Sequence, residues 1–211
     1  MTDTQTYQVI LDAMGKGGCP ICSAVQASVE RYIKGLFDES ILDPDVRARM
    51  RTSLGLCHDH AWLAQEAGLS DALGLAIVYR ELLGAIQAGE RNPSKDCPAC
   101  VFNGDTEERM LQTAIRSMKK DEFVSRLRNS AGLCLRHLNS VLAAPESAFP
   151  HDSLLNVQKQ IWEKLDFELS EFIRKNDYRF SSEPIGAESD SYKRAIGIVV
   201  GRNRRRRKWD E

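Results

Sequence analysis

Six cysteines and two of the four histidines fall into two short phrases, and the chain writes each phrase twice. Cys-Pro-x-Cys occurs at Cys19–Cys22 and again at Cys97–Cys100; Gly-Leu-Cys-x-x-His ends at His60 and again at His137. All the cysteines belong to these phrases. Two thiols three positions apart can both reach one ion from a tight turn, and Cys-x-x-His does the same from a second turn. Three thiolates and an imidazole close a tetrahedron around a borderline-soft divalent ion such as Zn²⁺. The spacing names eight candidate metal ligands: Cys19, Cys22, Cys57, His60, Cys97, Cys100, Cys134 and His137. The expectation is one Cys₃His centre per copy, the first within Cys19–His60 and the second within Cys97–His137. Zinc is favoured because the donors come in pairs and the Cys-x₂-Cys-x₂-Cys spacing of many iron–sulfur proteins is missing; a [4Fe–4S] cluster is the alternative.

Four protein donors leave no open coordination position, which is the mark of a structural site. A catalytic site copied twice should copy its acid or base. Asp59 stands where the second copy has Arg136, and His58 where it has Leu135. The centres therefore read as structural, and the chain as a non-enzymatic interaction or regulatory module. Two other readings stay open: an iron–sulfur protein that transfers electrons or senses redox state, and a thiol–disulfide oxidoreductase built on Cys-Pro-x-Cys. The latter expects a βαβ setting that the chain does not show. Phosphate loops, nucleophile elbows and dinucleotide fingerprints are also missing from the sequence. Trp62 and Trp162 fall on apolar stripes and read as core; Asp166, Glu168 and Glu171 read as a solvated helix face, and His151 as a loop residue.

Helices must position these donors. Residues 71–87 keep apolar side chains on a wide helical stripe, and residues 154–175 space Leu154, Val157, Ile161, Leu165, Leu169 and Phe172 three or four apart, the period of one helix face. Asp152 or Ser153 is the expected N-cap of that long helix. Further helices are expected at Gln8–Met14, Cys22–Phe37, Val46–Thr52, His58–Glu66, Thr106–Lys119, Glu122–Asn129 and Leu135–Leu142. Residues 189–202 read as a short helix or an extended segment. Pro20 and Pro98 suit a first helical turn, and Gly55 and Gly132 suit the end of the helix before the third cysteine. The fold class is all-α.

The duplication extends past the ligands. Residues 43–60 and 120–137, offset by 77, share seven of 18 positions: Arg49/Arg126, Arg51/Arg128, Ser53/Ser130, Gly55/Gly132, Leu56/Leu133, Cys57/Cys134 and His60/His137. Such self-similarity marks a repeated supersecondary unit. The expected organisation is a metal-binding repeat over 1–67, a second over 68–145, a helical cap over 146–201 and a basic tail over 202–211.

Composition sets the outer bounds. The chain has 211 residues, 42% hydrophobic and 28% charged, an ordinary balance for a globular domain. A signal-peptide pattern and a membrane-length apolar run are both missing, so the expected location is the cytoplasm, where thiols stay reduced. The 29 basic and 30 acidic side chains divide unevenly: 23 and 28 lie in residues 1–201, net −5, whereas Arg202–Lys208 carries six positive charges. That run could hold nucleic acid or an anionic surface, or serve only as a solvated end; a protein partner is expected for the body.

The chain resembles an uncharacterised prokaryotic family that pairs Cys-Pro-x-Cys with Gly-Phe/Leu-Cys-x-x-His. The resemblance rests on CPIC, GLCHDH followed by AW, the DALGLAIVYRELL helix, CPAC, GLCLRH and the ending DYRFSSEPIGAESDSYKRAIGIVVG. It covers most of the chain and implies the same eight Cys and His residues as the functional positions. It supplies no substrate, and the arginine-rich tail lies outside its pattern.

Overall fold

A computed structural model describes residues 2–180 and 182–201; the basic run Arg202–Lys208 lies outside them. Among the described residues there are ten α-helices and two short 3₁₀ turns, and no strand. The helices are α1 Asp3–Met14, α2 Pro20–Asp38, α3 Pro44–Thr52, α4 His58–Glu66, α5 Ala72–Gln87, α6 Pro98–Ser117, α7 Asp121–Arg128, α8 Leu135–Leu142, α9 His151–Lys175 and α10 Ser191–Val200. No helix among the described residues is long and apolar enough to cross a membrane.

Local chemistry sets the helix ends. α1 begins earlier than its apolar pattern, because Thr2 and Gln5 form a capping box: the Gln5 N–H donates to Thr2 Oγ1, and the Thr2 N–H to Gln5 Oε1 at 2.9 Å. α3 starts at Asp43–Pro44, with the Asp43 carboxylate accepting from the Asp45 and Val46 N–H groups. α9 is capped by Pro150 in extended conformation, not by Asp152 or Ser153. α6 starts eight residues before the expected Thr106 and runs through Gly104. A mid-helix glycine costs about 1 kcal/mol. That cost is offset by burying Ala99 completely and by stacking Phe102 on Tyr32 of α2, centroids 4.3 Å apart and 9° from parallel. The segment after Gly186, which sequence left between helix and strand, is helical as α10.

The chain forms two compact units that cut across the sequence copies. One holds residues up to Ala24 together with those from Glu108 through α10; its core includes Ile10, Ile21, Met110, Phe123, Leu127, Phe149, Leu154 and Val157. Here α9 packs on α7 and on α10, and α10 also meets α8. The other unit is Val25–Glu107, with Val29, Ile33, Met50, Ala64, Val78 and Leu82 buried and α3 packed on α5 beside the Arg47–Glu81 ion pair. Trp62 does not join this core. It is 52% exposed, its edge toward the His58 ring. Glu168 departs from the solvated reading too: it pairs with Arg194 and so fastens α10 to α9.

A second clasp in the first unit is pH-sensitive. Lys175 Nζ lies 2.7 Å from Glu188 Oε1, which also accepts from the Gly186 N–H at 2.9 Å. The Lys175 ammonium, then the Gly186 N–H, hold the Glu188 carboxyl down at about 2, from an ordinary 4.5. A carboxyl depressed by folding stabilises above its unfolded value and loses that contribution as pH falls through the folded one. The stability gap between the native chain and Glu188→Gln should therefore be full above about pH 4.5 and close on the way to about pH 2. Denaturation midpoints across that window check this; a gap independent of pH would contradict it.

Candidate metal centre

Each third cysteine caps a helix. Cys57 precedes α4 with φ −64° and ψ 167°, and Cys134 precedes α8 with φ −70° and ψ 159°. Their carbonyls accept the first helical bonds, from the Ala61 and Leu138 N–H groups at 2.8 Å. Cys19 and Cys97 precede the prolines that open α2 and α6. A helix N-terminus carries roughly +0.5 charge from its unpaired N–H groups, and both Cys-Pro-x-Cys phrases and both third cysteines lie at one.

The eight residues come together in two groups of four, but not the groups of the sequence copies. One is Cys19, Cys22, Cys134 and His137; the other is Cys57, His60, Cys97 and Cys100. Within each group the donor atoms all lie within 4.8 Å of one another. Each Cys-Pro-x-Cys is thus matched with the Gly-Leu-Cys-x-x-His of the other copy, which corrects the expectation of one centre per repeat. Within each copy a long helix is followed by a short one: α2 has 19 residues, about 28 Å, and α3 nine, about 13 Å. In the second copy α6 is about 30 Å long and α7 about 12 Å. The outer pairing spans 118 positions, Cys19 to His137, and the inner pairing, 43 positions from Cys57 to Cys100, nests inside it.

In both groups Nδ1 is the imidazole atom that faces the sulfurs. His137 Nδ1 stands 3.3, 3.4 and 3.3 Å from the sulfurs of Cys19, Cys22 and Cys134. His60 Nδ1 stands 3.2, 3.7 and 3.4 Å from those of Cys57, Cys97 and Cys100. The Cys22–Cys134 sulfurs are 3.8 Å apart and the Cys57–Cys100 sulfurs 3.6 Å, and none of the six cysteines is in a disulfide. Thiols this close resist ionising together. Burial, then the neighbouring Cys57 and Cys97 thiols, push the Cys100 thiol up to about 12; the hydrogen bonds with Cys134 and Cys22 and burial push the Cys19 thiol far above its usual range. Burial alone would lower His137, yet the Cys134 and Cys22 thiols outweigh it and raise the ring to about 9. A cation at the centre of either group would meet exactly the charge that such thiols can give up.

Three residues that the spacing does not assign to either site border the first group. Gln158 on α9 is fully buried, and its Oε1 accepts from the Leu133 N–H at 2.9 Å, fixing the backbone just ahead of Cys134. Arg136 lies 3.0 Å from His137 Nε2. Gly201, at φ +82°, ends α10 against the cysteines: a Cβ there would lie 3.4 Å from the Cys22 sulfur and 3.6 Å from that of Cys134. The signal for Gln158 was a polar residue in register with the Leu154–Ile161–Leu165 stripe.

Gly55 and Gly132, two residues before the third cysteines, both have positive φ, 89° and 72°. Gly55 closes α3 by donating to the Met50 carbonyl at 2.7 Å, the 6→1 bond of a Schellman ending. A Cβ on Gly132 would fall 2.7 Å from the Gln158 amide nitrogen. Gly132→Ala should therefore cost about 2–4 kcal/mol, combining backbone strain with a displaced buried amide. Urea denaturation measures this; a loss under about 0.5 kcal/mol would contradict it.

A model of a family of unknown function, DUF6062, matches residues 80–206, more than half of the chain. The chain belongs to this family. The matched stretch holds Cys97, Cys100, Cys134 and His137, two donors from each group, so both groups draw their other donors from before residue 80. The uncharacterized 23.9 kDa protein in the xynA 3' region of Caldicellulosiruptor sp. (strain Rt8B.4) is 26% identical over 173 residues, covering 76% of this chain and 83% of the relative. No solved structure matches.

Proposed function

We propose that this DUF6062 chain is a non-enzymatic helical protein stabilised by two mononuclear Cys₃His metal centres, with zinc as the metal, and that it serves as an interaction or regulatory module for a protein partner. One observation carries the reading. A tetrahedral zinc with Zn–S near 2.3 Å and Zn–N near 2.0 Å sets its donors about 3.8 Å apart for two sulfurs and about 3.5 Å for sulfur and nitrogen. The donor separations of 3.6–3.8 Å and 3.2–3.7 Å in the two groups fit one ion each. A [4Fe–4S] cluster binds each thiolate through a different iron atom, which spreads the donors well beyond one ion's coordination shell. The compact donor sets favour a single ion over that alternative. They also favour it over a thiol–disulfide enzyme, because each Cys-Pro-x-Cys pair is shared with a third thiol and an imidazole.

When bound, the metal would supply a cross-link and a positive charge. The chain's own residues supply the rest: thiolates at helix N-termini, imidazoles presented through Nδ1, and backbone turns that hold both. The test is metal analysis of anaerobically purified protein. Two zinc per chain and no colour support the reading; a brown sample absorbing near ~400 nm, or a colourless chain without metal, overturns it.

A further inference from the structure

Granting two metal centres, the two groups differ in what a competing ligand can reach. In the first, Cys19 is 3% exposed, Cys134 and His137 are fully buried, and Cys22 alone is partly buried. The chain at Gly201 lies along the sulfurs of Cys22 and Cys134, and Arg136 covers the outer edge of the His137 ring. In the second, Cys100 is exposed, Cys57, His60 and Cys97 are only partly buried, and Val101 beside Cys100 is 50% exposed. Both groups offer the same donors at similar separations and place them at the same kind of helix ends. Identical coordination chemistry is therefore held behind different barriers.

We propose that the Cys57–His60–Cys97–Cys100 centre is an exchangeable metal site that passes its ion to an incoming thiolate ligand, while the Cys19–Cys22–Cys134–His137 centre is a permanent one. Exchange starts at Cys100. An incoming thiolate forms a metal–sulfur bond as the metal–Cys100 bond breaks; Cys100 leaves as a thiolate and takes a proton from water. The ion keeps its charge and nothing is oxidised or reduced. Three remaining donors hold the ion until further thiolates displace them. At the first centre only Cys22 is partly exposed, and the segment at Gly201 lies along its sulfur, so the same attack requires a local opening that is rare in a packed core. The ligand class is a soft thiol donor, from a small thiol or from a cysteine pair on an acceptor protein.

The experiment uses the metal-loaded full chain, with zinc content measured first, mixed with excess chromophoric chelator at increasing glutathione. The expected result is two phases of one equivalent each, at least ~10-fold apart in rate, because only one centre must open before it is attacked. The fast rate should rise in proportion to glutathione and the slow rate should not. Cys100→Ser should remove the fast equivalent and leave the slow one. Should that variant misfold, brief alkylation of the loaded native chain gives a second readout: peptide mapping should find Cys100 modified before Cys19 or Cys134. A single phase for both ions, loss of the slow equivalent in Cys100→Ser, or first modification at Cys19 or Cys134 overturns the proposal while leaving two metal centres standing. A starting chain that carries no metal removes the underlying reading instead.

Discussion

Chelation of the intact chain under reducing conditions is expected to lower helical circular dichroism at 222 nm by more than half and to abolish the cooperative melt, with both restored by added zinc. The magnitude follows from comparing terms. A structural zinc site contributes an apparent ~10–16 kcal/mol at neutral pH, whereas a whole domain is stable by only about 5–15 kcal/mol. Six of the ten helices among the described residues have twelve residues or fewer: α1, α3, α4, α7, α8 and α10. Isolated helices of that length are marginal in water. The longer α2, α6 and α9 should retain some residual helix. A chain confirmed metal-free that melts as before would show that the cores around Phe123 and Met50 suffice alone, and attention would pass to the thiols as reactive groups.

The second large effect tests the crossed pairing. Cys57→Ser should remove the metal held with His60, Cys97 and Cys100 and leave the other in place. Cys97→Ser should do the same, because both cysteines serve one centre. The double variant Cys57→Ser/Cys97→Ser should then still bind one metal, whereas Cys57→Ser/Cys134→Ser should bind none. Centres confined to the sequence copies would differ at the first double variant: Cys57→Ser/Cys97→Ser would lose both metals, whereas Cys57→Ser/Cys134→Ser loses both under either pairing. Native mass spectrometry counts the ions directly.

How much of this was legible in the sequence depends on the range of each interaction. Donor identity was legible, because Cys-x-x-Cys and Cys-x-x-His are local geometries that need only one turn of chain. Helix identity was legible as well, since α4 and α8 end where their apolar pattern and the capping cysteines place them. The capping box at Thr2–Gln5 is a local signal that lies ahead of the apolar stripe from Gln8 and starts α1 at Asp3. Donor pairing was harder. It is set by which segments far apart in sequence meet, and local spacing does not report that. The close approach of Gly201 was beyond reach, since it is set by packing between segments far apart in sequence. Trp62 shows the opposite error: an apolar pattern on a nine-residue helix does not ensure that anything covers it.

The central claim is that each donor group holds one ion in a Cys₃His tetrahedron. X-ray absorption at the metal edge of the purified native chain tests it most directly. The predicted result is a zinc edge with a first shell of about three sulfurs near 2.3 Å and one nitrogen near 2.0 Å, and no metal–metal scattering. An iron edge with strong metal–metal scattering at short range, or a zinc shell dominated by oxygen, would contradict it.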